Sequence, residues 1–139
     1  MLGIILNCTT ALPALSQCTI SASPVSFGNY DVFANTTTTS TGSITYDCSS
    51  ATLPFIIHLS KGNSLSYTPR TLKSGSDSLN YNLYLDAAGS QIWGDGTNSS
   101  TQYSSSNLTG TVTIYGIIPS RQNVKVGSYT DSITATINF

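Results

Sequence analysis

Glutamate is absent from this chain, and charge of either sign is scarce. Lys and Arg number 5 and Asp 6 in 139 residues, so 8% of the chain is charged, against about 25% in an ordinary soluble domain. With a net charge of −1 there is no basic surface to gather phosphates or to hold an anionic bilayer. That removes nucleic acid and charged membrane surfaces as electrostatic partners. The lack of Glu, with so few Lys and Arg, also removes most strong helix formers. There is one histidine, His58, so general acid–base chemistry has little to draw on. No apolar run approaches the ~20 residues of a membrane span. No Gly-rich phosphate loop follows a strand and opens a helix.

What remains is Ser, Thr, Asn and Gly interleaved with Ile, Leu, Val, Tyr and Phe, with 39% of the chain hydrophobic. β-Branched and aromatic residues suit a pleated, half-buried surface. Their recurrence at every second position argues against disorder and for strands. "CTISASPVSFG" puts Cys18, Ile20 and Ala22 on one face, breaks at Pro24, and resumes with Val25 and Phe27. A strand proline belongs at an edge or at a switch between sheets. "NYDVFANTTTTSTG" reads as a loop and polar edge, and "SITYDCSS" as a strand with Ile44, Tyr46 and Cys48 inward. Phe55, Ile57 and Leu59 share a face, with His58 opposite; "NSLSYTPRTLKSGSD" reads as turns. Leu79, Tyr81, Leu83 and Leu85 alternate strongly, a short strand surrounds Ile92 and Trp93, and Leu108, Val112 and Ile114 share a face. The last strand turns Ile133, Ala135, Ile137 and Phe139 inward. About seven strands with turn signals every 8–12 residues predict an all-β sandwich, in one domain.

The opening "MLGIILNCTTALPALSQ" is the one continuous apolar stretch. Small residues at Ala14 and Ser16 sit at the −3 and −1 positions of a signal-peptidase site. Residues 1–16 are therefore expected to be a signal peptide with a truncated start, its basic n-region missing, and residues 17–139 the mature domain. The rival reading keeps the segment as an N-terminal extension. Asn7 is a poor residue to precede a lipidated Cys8. With the segment removed, Cys18 and Cys48 remain, and an even count in an exported chain argues for one disulfide. Two separate buried thiols are the alternative.

Candidate chemistry is thin. His58 lies mid-strand, and no Ser has the frame of a nucleophile elbow. The aspartates cluster at turns, where they satisfy local backbone groups. Asp95 in "WGDGTN" has the look of a calcium-loop start without the EF-hand spacing. Trp93, Tyr103 and Tyr115 are candidates for stacking on sugar rings, although packing is the commoner role of such residues. No catalytic, metal or cofactor-binding residue is assigned, and no cofactor is expected.

Four stretches carry a resemblance: "CTISASPVSFGNYDVF", "GSITYDC", "PRTLKSGSDSLNYNLYLDAAGSQIWGDG" and "TVTIYGIIPSRQNVKVGSYTDSITATINF". Together they cover most of residues 18–139, and the sequence resembles the spore coat protein U domain family. These are subunits of archaic chaperone–usher pili of Gram-negative bacteria and related exported coat proteins. The resemblance implies an immunoglobulin-like, pilin-type sandwich lacking its C-terminal G strand. It implies a hydrophobic groove that a periplasmic chaperone, and then a neighbouring subunit at the outer-membrane usher, fills by β-augmentation. Carried over, residues 133–139 border that groove through Ile133, Ala135, Ile137 and Phe139. Residues 18–22 form the other border through Ile20 and Ala22, tied down by a Cys18–Cys48 bridge.

The implied function is that of a non-enzymatic structural subunit of a pilus or coat, supporting adhesion and biofilm formation. It would be exported through the periplasm to the cell surface or secreted, with a host or abiotic surface as a further partner. A shaft subunit also needs a donor segment ahead of its first cysteine. If cleavage follows Ser16, only Gln17 is left; if residues 1–16 stay, Ile4, Leu6 and Leu12 alternate as a donor would. The competing reading is a self-complete adhesin or carbohydrate-binding module using the loop "WGDGTNSSTQY".

Overall fold

The computed structural model describes residues 2–11, 18–49 and 54–139. Ala14, Ser16 and Gln17 of the expected cleavage site, and the donor candidate Leu12, lie outside the described residues. Ten strands are present among the described residues: β1 (Leu2–Ala11), β2 (Thr19–Ser23), β3 (Ser26–Gly28), β4 (Thr38–Asp47), β5 (Phe55–Leu59), β6 (Arg70–Ser74), β7 (Asp77–Tyr84), β8 (Tyr103–Ser105), β9 (Thr109–Ile118) and β10 (Thr130–Asn138). The all-β expectation holds, with more strands than the seven expected.

The strands form two packed layers. One runs β2-β4-β9-β7, antiparallel throughout. The other runs β3-β1-β10-β5-β8. Strand β7 joins them: its first half pairs with β6, and Asn82, Leu83 and Tyr84 pair with β9. Strand β6 in turn touches β10 at Lys73↔Thr130.

The switch signalled by Pro24 is real. Ile20 and Ala22 pair with Tyr46 and Ile44 in the first layer, whereas Ser26 and Gly28 pair with β1 in the second. Proline has no N–H to contribute to a ladder, so the crossing wastes no donor. The crossing also runs close over β4, where a Cβ on Gly42 would stand 2.6 Å from the Ser23 carbonyl oxygen. Only glycine lets the two backbones approach so closely.

Several local expectations are corrected. Residues 38–42, expected as loop and edge, are the first half of β4, paired with β9 from Thr38↔Ile118 onward; threonine is β-branched and strand-forming even where it is polar. The turn expected around residue 70 contains β6. Ile92 and Trp93 make isolated bridges to Tyr84 and Thr101 rather than a strand. Leu108, expected inward, precedes β9 and is half exposed.

The core is built from inward positions of both layers, among them Ile44, Ile57, Leu72, Leu83, Ile114 and Ile133, none with exposed surface. At its end the Cys18–Cys48 disulfide links the start of β2 to the end of β4, with a Cα–Cα distance of 4.2 Å and both residues buried. The bridge continues the ladder beside the Thr19↔Asp47 pair.

Candidate functional site

Strand β10 forms one wall of the candidate site. Its alternation places Ile133, Ala135 and Ile137 inward with 0% exposure, and Phe139 is partly buried against the same core. One edge is closed by β5, from Ala135↔Leu59 to Asn138↔Ile56. The other edge holds a single strand, β1, from the opposite end of the sequence. It runs parallel to β10 from Gly3↔Thr130 to Ala11↔Asn138.

Beyond β1 lies β3. Leu2 pairs with Gly28 and Gly3 with Ser26, and the Ile4 N–H donates to the Val25 carbonyl at 3.0 Å. The second border of the groove is therefore β3 and Val25. Ile20 and Ala22 pair in the facing layer with Tyr46 and Ile44, partly buried against the common core, and β2 also lies close alongside β1 without pairing to it. Sequence reasoning treated the segment before Pro24 as one wall. After the proline the chain pairs directly with β1 through Ser26 and Gly28.

Strand β1 is amphipathic at strand period. Leu2 and Ile4 are buried at 4% and 2% exposure, Leu6 and Cys8 are partly buried, and Ile5 is 63% exposed. In the ladder Leu6 lies beside Ile133 and Cys8 beside Ala135. On the outer face the Asn7 amide donates to Ser132 Oγ at 2.9 Å, and the hydroxyls of Thr9 and Thr136 are 3.0 Å apart. Burial pushes the Cys8 thiol pKa up, the opposite of what a reactive thiolate needs. Where β1 begins, a cleft of about 410 Å³ opens, lined by Leu2, Tyr30, Phe33, Leu79, Val126 and Tyr129.

A second feature escaped sequence reasoning. Arg70, the first residue of β6, is fully buried. It donates to the Ser60 carbonyl from Nε and Nη2, to Asn82 Oδ1 from Nη1, and to the Trp93 carbonyl from Nη2. Its guanidinium carbon stands 4.9 Å from the centre of the Tyr67 ring, and burial lowers its pKa. Nearby, buried Asp131 accepts from the Asn63 and Ser132 amides at 2.8 Å and from the Tyr81 hydroxyl at 2.5 Å. Burial first, and Asp131 second, push the Tyr81 pKa well above its ordinary value. These polar groups fasten loops to strands. The one sequence clue was an arginine at an inward position two residues before Leu72.

The other candidates do not converge. Asp95 accepts from the Thr97 amide and hydroxyl, which lowers its pKa and closes a local turn. The His58 ring meets the Asn138 amide at 3.4 Å. Among the described residues no three His, Cys, Asp or Glu side chains are grouped to hold a metal ion. Trp93 has no exposed surface, donates to the Ile57 carbonyl at 3.0 Å, and stacks at a tilt on Tyr103 with ring centres 5.9 Å apart. Tyr115 lies in β9, in the other layer, paired with Thr41 and Tyr84. The three aromatics form no shared stacking surface.

The Spore Coat Protein U domain model matches residues 5–136. "Protein U" of Myxococcus xanthus is 28% identical over 127 residues, covering 83% of this chain and 71% of that protein. Among solved structures, the CsuC-CsuE chaperone–tip adhesion subunit pre-assembly complex, from archaic chaperone-usher Csu pili of Acinetobacter baumannii, superposes with a TM-score of 0.59 at 23% identity. That match covers 90% of this chain, which spans only 40% of the matched chain. The minor tip subunit HdaB of the E. coli Hda pilus gives a TM-score of 0.45 at 13% identity, covering 86% of this chain and 79% of that one.

Proposed function

The chain belongs to the Spore Coat Protein U domain family, and from that premise we propose that it is a non-catalytic structural subunit of a bacterial surface pilus or coat, joined to its neighbours by strand donation. The observation that carries this is the slot beside β10: one strand wide, bordered on one side by β10 with Ile133, Ala135 and Ile137 turned into the core, and on its far side by β3. A slot of that shape recognises an extended segment through main-chain hydrogen bonds and alternate side-chain contacts. An open slot would be an unpaired edge over an apolar floor, and such edges aggregate unless covered.

The partners that follow are a periplasmic chaperone in transit, an outer-membrane usher, and neighbouring subunits. Adhesion to surfaces and biofilm formation follow as the purpose of the fibre. The location is the cell surface after passage through the periplasm. No helix among the described residues is long and apolar enough to cross a membrane. The carbohydrate-binding alternative loses support because Trp93 is interior.

Immunogold electron microscopy of the producing cells, with an antibody to this chain, tests the reading. The expected result is labelled filaments or coat. Label confined to soluble monomer would overturn it.

A further inference from the structure

We propose that β1 is retained in the exported chain and is the groove's own occupant, a self-complementing strand that keeps the subunit closed until its Cys8 half is displaced. The inference rests on the groove reading above and adds what fills the groove in the isolated chain.

The ladder is complete along β1, from Gly3↔Thr130 to Ala11↔Asn138. The side-chain fit is equally regular, with Leu2, Ile4, Leu6 and Cys8 facing the core and Ile5, Asn7 and Thr9 facing out. The strand's outer face is matched to β10 as well, Asn7 to Ser132 and Thr9 to Thr136. The closed chain leaves no open edge beside β10, which removes one site of edge-to-edge aggregation while the strand is in place.

The hold is uneven. At the Leu2 end the strand is gripped on both edges, by β10 and by β3, and its two inward side chains are large and buried. At the Cys8 end the hydrogen-bonded pairing is with β10 alone, β2 lying alongside without a ladder, and the inward residue is a small thiol beside Ala135. Apolar stabilisation scales with the area removed from water, so the Cys8 half is the weaker. An incoming strand with a larger apolar side chain at the level of Cys8 gains a foothold there while Leu2 and Ile4 still hold. The strand thus acts as a plug that opens from one end.

The test uses the full exported chain carrying Thr9→Cys and Thr136→Cys, with Cys8→Ser to keep the thiol count unambiguous. These positions face each other on the solvent side. Oxidation is expected to give an intrachain 9–136 disulfide in monomeric protein, read by intact mass and peptide mapping. A chain beginning at Gln17, a crosslink only between chains, or free thiols would each overturn the proposal. A second readout is binding of a synthetic peptide of residues 2–11. It is expected to bind the Ile4→Asp chain about tenfold or more tightly than the native chain, whose groove is closed. Equal binding to both would overturn the proposal. Labelled filaments with no intrachain crosslink would reject the plug and leave the subunit function standing; a crosslinked monomer with no filaments would do the reverse.

Discussion

Arg70 Nη2 donates to the Trp93 carbonyl at 2.7 Å, while Trp93 Nε1 donates to the Ile57 carbonyl at 3.0 Å. Through these two bonds β6 holds the loop after β7, and that loop holds β5, the strand that closes one edge of β10. A buried guanidinium with several fixed acceptors is rigid because a planar fork of donors fits them at once.

Replacing Arg70 by Met keeps most of the volume and strands the Ser60 and Trp93 carbonyls. Each unsatisfied buried group costs about 1–3 kcal/mol, so urea unfolding should show a loss of roughly 3 kcal/mol or more. Lys at the same place should recover only part of it. An unchanged midpoint for Arg70→Met would show that the carbonyls find other donors.

The Cys18–Cys48 bridge closes a sequence separation of 30 residues. In the chain-entropy account a loop of that size stabilises by about 3–4 kcal/mol. The double Cys→Ser chain should unfold at correspondingly lower urea and be exported in smaller amounts. Equal midpoints would mean that the β2–β4 ladder alone suffices.

Much of the fold was legible because burial and period coincide. Phe55, Ile57 and Leu59, then Leu79, Tyr81 and Leu83, then Ile133, Ala135 and Ile137 alternate cleanly, and each trio is buried. Strand β6 was hidden because the inward partner of Leu72 is a charged residue, Arg70, which pattern reading assigns to solvent. The first half of β4 was hidden by its threonines. The sheet position of β1 was not legible for a deeper reason. Alternation at Ile4 and Leu6 says that a strand has one apolar face, but it does not say which of several sheet edges that face will meet. Pairing of residues as distant as Leu6 and Ile133 is fixed by closure of the whole sandwich.

Stability should fall at both ends of the pH scale, for opposite reasons. Asp86 accepts from the Ser90 hydroxyl and from the Ser90 and Gln91 amides, and these bonds lower its pKa below the ordinary 3.8. Asp47 and Asp95 are lowered in the same way by Ser49 and Thr97. A lowered folded value means stabilisation that is present above 3.8 and lost as pH falls through that lower value. Tyr81 is the reverse. Its pKa is raised well above 10.0 by burial and by Asp131, so below 10.0 the phenol is neutral in both states and nothing is lost. Above 10.0 the unfolded chain ionises first, and stability declines with rising pH. Midpoints measured from pH 2 to 12 should fall at both extremes. Asp86→Asn should flatten part of the acid limb and Tyr81→Phe part of the alkaline one. Unaltered limbs in both variants would place the titration elsewhere.

Gly116 of β9 faces the turn of chain that borders the groove. A Cβ there would lie 2.7 Å from Phe27 Cζ and 2.8 Å from Val25 Cγ1, and both side chains are buried. Overpacking of this kind costs about 1–3 kcal/mol. The effect should also be directional. Val25 accepts the hydrogen bond from Ile4, and β3 pairs with Leu2 and Gly3, so pushing Val25 and Phe27 outward loosens the grip on the first half of β1. Gly116→Ala should therefore lower the urea midpoint. It should also speed hydrogen exchange of the β1 amides more than that of β4, which pairs with the same strand β9. Uniform acceleration across the domain would indicate a general loss of stability. Selective exposure of β1 would show that the packing of Val25 and Phe27 against β9 sets how firmly the groove keeps its strand.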